Sequence, residues 1–274
     1  TSIKENEIRI AISGKPNTGK STLLNLLYGT ERVITGAESG TTRDSVITKI
    51  EYDIHNLAVI DTAGIKKKSK LNNNVDKASI YFTRKEIRYS NIVFLVFDAT
   101  LPISNQDLNI ANFIIKEGRA ILLIFNKWDL VRDKQKVKSN IYANIDKIFF
   151  DVKGINVIFV SALQNKYKEQ IFNKIIAIYD NWNKKIPTSS LNNWLQKEYE
   201  EVTNQAYRGS LKLRYIKQIK VRPPTFTLFF NNKDKVNNSI KRYIINRLRN
   251  KFSFSGTPIR VILKSSKNPF KKTN

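Results

Sequence analysis

Ile8, Ile10 and Ile12 alternate with polar or small neighbours, which predicts a strand running into a glycine-rich turn. Ser21–Tyr28 reads as a helix that would bury Leu23, Leu24, Leu26 and Leu27. Gly29–Asp44 reads as a mobile loop. Ser45–Ile54 and Leu57–Ile60 read as neighbouring strands joined through His55-Asn56. A lysine- and asparagine-rich loop follows, and Asp76–Tyr89 suits a helix. The unbroken apolar runs Ile92–Phe97 and Ile121–Phe125 predict strands covered on both faces of a parallel sheet. Helices are expected over Asn105–Glu117, where Gly118 stops the run, over Asp133–Lys147 and over the amphipathic Lys166–Trp182, with a strand at Val157–Val160. Such alternation predicts an α/β fold with a doubly wound, mostly parallel sheet.

The pattern changes at Lys184-Lys185 and Pro187. Ser189–Ala206 reads as a helix capped by Ser190, with Leu191, Trp194, Leu195 and Tyr199 on one face. Lys212–Lys220 alternates Leu213 and Tyr215 with charged residues and reads as a half-exposed strand, which Pro223-Pro224 breaks. Phe226–Phe230 and Ile259–Leu263 are further strands, and Val236–Lys251 is a helix. The order α-β-β-α-β predicts a small α+β domain. The expected organisation is a residual linker at 1–6, a first domain at 7–183, a linker at 184–188, a second domain at 189–265 and a basic tail at 266–274.

Charge sharpens this division. Residues 1–182 carry 27 Lys+Arg against 19 Asp+Glu, and residues 183–274 carry 21 against 4. A net of +17 in the shorter part points to a polyanionic partner, or to compositional drift in a chain rich in Lys, Asn and Ile. No apolar run approaches the roughly 20 residues of a membrane span. With no cysteine, disulfides and thiolate metal sites are excluded, and a cytoplasmic, membrane-free monomer is expected.

Gly14-Lys15-Pro16-Asn17-Thr18-Gly19-Lys20-Ser21, followed by Thr22, fits G-x-x-x-x-G-K-[ST] between a strand and a helix. Its glycines let backbone N–H groups approach phosphate, Lys20 reaches the β- and γ-phosphates, and Ser21 ligates Mg²⁺. Asp61-Thr62-Ala63-Gly64 ends another strand. Asp61 is placed to hold Mg²⁺, through water, and the Gly64 N–H to bond the γ-phosphate. Asn126-Lys127-Trp128-Asp129 specifies the base, because the Asp129 carboxylate can accept from N1–H and the 2-amino group of guanine, a donor pair that adenine lacks. Lys127 is expected to pack along the base, Trp128 to shield it, and a backbone N–H of Ser161-Ala162-Leu163 to read O6. Between the first two motifs, Thr41 or Thr42 should close on Mg²⁺ and the γ-phosphate, with Thr42 favoured. GTP or GDP and Mg²⁺ are the implied ligands, and Lys20, Thr42 and Gly64 the expected catalytic set.

These motifs resemble the bacterial tandem-GTPase family called Der or EngA. The resemblance extends through Gly40-Thr41-Thr42-Arg43-Asp44, Asp61–Lys68 and Asn126–Leu130 to Arg222-Pro223-Pro224-Thr225-Phe226 and Gly256-Thr257-Pro258-Ile259-Arg260. It implies a second GTPase domain followed by a KH-like domain, with the family's first GTPase domain missing as an intramolecular partner. It implies a GTP-hydrolysing switch in assembly of the large (50S) ribosomal subunit, with that subunit and its rRNA as partners. Related GTPases hold K⁺ partly through a P-loop asparagine, which Asn17 matches, so K⁺ is a candidate activator.

Three departures qualify the match. Ile65 stands where Ras-like proteins carry a water-positioning glutamine, so slow intrinsic hydrolysis is expected. No glycine follows Ser161-Ala162-Leu163 closely. Residues 183–274 hold only Gly209 and Gly256, so the G-x-x-G loop of ordinary KH domains is missing. RNA contact would then fall to Lys212, Arg214, Lys217 and Lys220 on a strand and to Lys241, Arg242, Arg247 and Arg249 on a helix, unless these are simply solvated faces. Two alternatives remain open: an Era-like factor for small-subunit rRNA, and an RNA-binding module whose nucleotide site is structural.

Overall fold

The alternating isoleucines form strand β1 (Glu7–Ser13), where Ile8, Ile10 and Ile12 are buried together with Ala11. The structure is a computed structural model and describes residues 7–29, 33–36, 47–60, 84–149, 152–197 and 211–265. After β1 come α1 (Lys20–Tyr28), β2 (Val33–Gly36), β3 (Ile47–Tyr52) and β4 (His55–Ile60). Helical turns over 84–89 lead to β5 (Ile92–Asp98), α2 (Asn105–Lys116), β6 (Ala120–Asn126), α3 (Lys134–Ile148), β7 (Asn156–Phe159) and α4 (Lys168–Trp182). These strands form one sheet in the order β2-β3-β4-β1-β5-β6-β7. Strands β4, β1, β5, β6 and β7 run parallel, while β2–β3 and β3–β4 are antiparallel.

The centre of this sheet follows from composition. Every residue of β6 is buried and so is β5 up to Phe97, as expected for strands covered by helices on both faces. From β1 the chain leaves through α1 to the β2–β4 side and later returns to β5 on the other side. The crevice beyond the carboxyl end of β1 is therefore the switch point where such sheets bind ligands.

Two local expectations change. Residues 29–44 are not all loop: Val33-Ile34-Thr35 are β-branched and pair with β3 as an edge strand. The β3–β4 turn lies at Asp53-Ile54 rather than His55-Asn56, because His55 pairs with Tyr52 and Asp53 takes the positive φ, 52°.

The chain divides into two compact units, Thr1–Phe150 with Gly154–Tyr179, and Asp151–Lys153 with Asp180–Asn274. In the second unit, α5 (Thr188–Lys197), β8 (Leu213–Lys220), β9 (Thr225–Phe230), α6 (Asn238–Lys251) and β10 (Arg260–Ser265) build a sheet of order β10-β9-β8. Leu191, Trp194 and Leu195 of α5 and Ile240, Ile244 and Leu248 of α6 pack with Leu213, Ile216, Phe226, Leu228 and Phe230 of the sheet. Helix α5 starts at Thr188, so Ser190 lies inside it rather than capping it. The edge of β8 is covered by side-chain amides. Asn192 accepts from Ile216 N and donates to Ile216 O (3.0 and 2.9 Å), and the strand's own Gln218 donates from Nε2 to Lys220 O (3.3 Å). Such cover blunts an edge that would otherwise invite strand pairing.

Candidate nucleotide site

The loop between β1 and α1 has the backbone of a phosphate cradle. Gly14, Asn17 and Gly19 take φ of 144°, 64° and 89°. At Gly14 a Cβ would stand 2.3 Å from the Val96 carbonyl oxygen, and at Gly19 one would stand 2.1 Å from Asn126 Nδ2, so only glycine fits. Asn17 is exposed and supports the turn by tolerating the left-handed region. No side chain caps the start of α1, which suits a helix end meant for an anion. Lys20 Nζ donates to the carbonyls of Gly14 (2.9 Å) and Lys15, folded over the loop it would leave to meet phosphate. Thr18 Oγ1 donates to Lys15 O. Ser21 and Thr22 follow in the first helical turn, Ser21 exposed.

Asn126 at the end of β6 ties the site together. Its Nδ2 donates to Thr18 O and its Oδ1 accepts from Ala162 N, both at 2.9 Å and buried. One side chain thus joins the phosphate loop, the base-side strand and the segment Ser161-Ala162-Leu163. Ser161 and Ala162 are buried, Leu163 is 82% exposed, and Gln164 N donates to Ser161 O in a tight turn that needs no glycine. Lys127 takes φ 61° and Asp129 stands exposed in the short 3-10 turn Trp128–Leu130. Trp128 packs its ring 4.4 Å from that of Phe159, which makes sheet-edge packing its observed role.

Two carboxylates escaped the sequence reading. Asp98 ends β5 in register with Asn126. Its Oδ2 lies 2.5 Å from Lys127 Nζ, and its Oδ1 accepts from Thr100 N and Oγ1 at 2.9 and 2.6 Å. Burial pushes the Asp98 carboxyl up, but the hydrogen bonds from Lys127 and Thr100 outweigh it and hold the group below the usual carboxylate range. Asp107, 4% exposed, caps α2 with Ser104 and lies 3.1 Å from Lys15 Nζ, bracing the outside of the phosphate loop. The signals were present: Asp98 terminates a buried strand as Asn126 does, and Ser104-x-x-Asp107 has capping-box spacing.

Thr41, Thr42, Asp61, Thr62, Ala63, Gly64 and Ile65 lie outside the described residues. Of the expected Mg²⁺ ligands, only Ser21 is described. Among the described residues no cluster of three His, Cys, Asp or Glu could hold a metal, and no helix is long and apolar enough to cross a membrane. In the second unit, Lys212, Arg214, Lys217, Lys220 and Arg242 are exposed, and Lys241 and Arg247 half-buried. Arg249 is corrected: it is 3% exposed, and its Nη1 donates to Phe254 O (2.9 Å) and Thr257 O (2.7 Å), so its charge fastens the turn after α6 and cannot meet RNA.

Residues 9–127 match the protein family described as 50S ribosome-binding GTPase. Residues 185–264 match the KH-domain-like C-terminal domain of EngA bacterial GTPase enzymes. The proteins named GTPase Der from Rickettsia canadensis (strain McKiel) and Rickettsia africae (strain ESF-5) are 41% and 42% identical over 98% of this chain. Both domains are thus similar to those of the Der/EngA family. The chain spans 61% of the length of those two relatives. The chain also shares its fold with a solved structure of Era in complex with MgGDPNP and nucleotides 1506–1542 of 16S ribosomal RNA. That likeness has TM-score 0.50 and 19% identity over 96% of this chain and 94% of the other.

Proposed function

We propose that this chain is the GTP-binding and slowly GTP-hydrolysing part of a switch in assembly of the large ribosomal subunit, carrying the second GTPase domain and the KH-like domain of a Der/EngA protein. The observation that carries the reading is the double hydrogen bond of Asn126. It fixes the phosphate loop and the guanine-side segment in one frame, so a nucleotide can be gripped at both ends. The residues fit the nucleotide. Gly14, Gly19 and the start of α1 offer backbone to phosphate, Lys20 supplies its charge, and Asp129 is exposed where a base edge can reach it. Mg²⁺ would be held by Ser21 with Thr42 and Asp61, and would neutralise charge on the β- and γ-phosphates. Gly64 would sense the γ-phosphate. Ile65 cannot orient water, which keeps hydrolysis slow, and K⁺ at Asn17 would supply part of the missing charge.

The test is cosedimentation of the 274-residue chain with separated large and small ribosomal subunits, with a GTP analogue, GDP or no nucleotide. Large-subunit binding that requires the analogue is expected. Preference for the small subunit would move the assignment to an Era-like role, and nucleotide-independent binding would make the site structural. Equal hydrolysis in KCl and NaCl would remove K⁺ from the account.

A further inference from the structure

The second unit's sheet has a face turned away from its core, and its make-up is specific. Phe226, Leu228 and Phe230 of β9 enter the core, so Thr225, Thr227 and Phe229 lie on the other side of the strand, where Thr225 and Thr227 are themselves buried and the Thr225 hydroxyl donates to Pro223 O. On β10, Val261 and Leu263 pack against the core while Arg260, Ile262 and Lys264 are exposed. On β8, simple alternation would scatter the charged residues over both faces. Register shifts between Leu213 and Tyr215 and between Gln218 and Lys220 prevent this. They set Tyr215 opposite Phe229, Lys217 opposite Thr227 and Lys220 opposite Thr225. Parallel pairing with β10 completes three rungs: Lys264–Phe229–Tyr215, Ile262–Thr227–Lys217 and Arg260–Thr225–Lys220. Tyr215 is 41% exposed and meets Phe229 edge-on with ring centroids 5.6 Å apart. Ile262 is 43% exposed. The three strands contain no acidic residue.

We propose that this face is a platform for single-stranded RNA, with one base stacking on Tyr215 and the backbone tracking Lys217, Lys220, Arg260 and Lys264. The exposed Tyr215 and Ile262, with Phe229 beside them and cations alone around them, complement a strand that turns its bases to the sheet and its phosphates to the cations. Duplex RNA offers no unstacked base, so the aromatic pair selects against it. The inference rests on the ribosome-directed reading and specifies where RNA is met and in what form.

The test is fluorescence anisotropy of the full chain with a short labelled oligouridylate and with a duplex of equal length. Wild type should prefer the single strand, with log K falling against log salt at a slope of roughly −3 for four phosphate contacts. Tyr215→Ala should weaken binding about tenfold without changing that slope, and Tyr215→Phe should restore it. Lys217→Ala should make the slope shallower by about 0.7. Lys241→Ala and Arg242→Ala on α6 should leave binding unchanged. Wild-type affinity in Tyr215→Ala and Lys217→Ala, loss in the α6 variants instead, or preference for the duplex would overturn the platform. A chain that cosediments with large subunits but does not bind oligouridylate would overturn it while leaving the ribosomal role intact. Binding to neither would remove both.

Discussion

Replacing Asp98 by asparagine tests how the guanine side of the site is held. The substitution keeps an oxygen for Thr100 N and Oγ1 but puts an amide or a neutral oxygen where Oδ2 now meets Lys127 Nζ at 2.5 Å. The Asp98 side chain is 9% exposed and that of Lys127 33%, so solvent screens the pair in part. Its loss should cost about 1 kcal/mol, the upper end for a screened ion pair. If that energy restrains Lys127 against the bound base, GDP should dissociate about fivefold faster, as stopped-flow release of a fluorescent GDP analogue would show. The sign with pH follows from the lowered carboxyl: the pair's stabilisation is fully present above the ordinary Asp range and is lost as pH falls through the depressed folded value. The stability gap between wild type and Asp98→Asn, from urea melts, should therefore shrink on acidification. Unchanged GDP release, with a gap that persists at low pH, would refute the positioning role.

Asn126→Ala should destabilise the first unit by about 2–4 kcal/mol, because it leaves Thr18 O and Ala162 N buried without partners. Nucleotide affinity, measured by titration, should fall in step. Gly14→Ala should lower the melting temperature sharply and abolish nucleotide binding, since its Cβ would collide with backbone at Val96. Arg249→Met should destabilise the second unit by about 1–3 kcal/mol through two orphaned carbonyls. It should leave the salt slope of RNA binding untouched, the reverse of what a phosphate-contacting arginine would do.

What the sequence revealed tracks how local the signal is. Buried strands such as Ile92–Phe97 and Ile121–Phe125 declare themselves by unbroken apolar runs, and the phosphate loop by glycines whose spacing the backbone demands. Edge strand β2 was hidden because four residues in a polar stretch acquire strand character only by pairing with β3. The shared facing of Tyr215, Lys217 and Lys220 is not legible in the sequence for a related reason: a bulge adds a residue without marking the sequence, and each one flips the pleat. Arg249 sits among other cations on α6 and looks solvated. Only the fold brings Phe254 O and Thr257 O within its reach. At the site, Asn126 was assigned to the nucleotide from its motif, but its bridging bonds depend on tertiary contacts 108 and 36 residues away.

The central claim is that one frame, held by Asn126, grips a guanine nucleotide at both phosphate and base. Equilibrium titration of the purified chain with GDP and ADP in the presence of Mg²⁺ tests it most directly. A preference for GDP of about 10⁴-fold or more is predicted, because Asp129 would be left unpaired against adenine. Comparable affinity for the two nucleotides, or none for either, would contradict it.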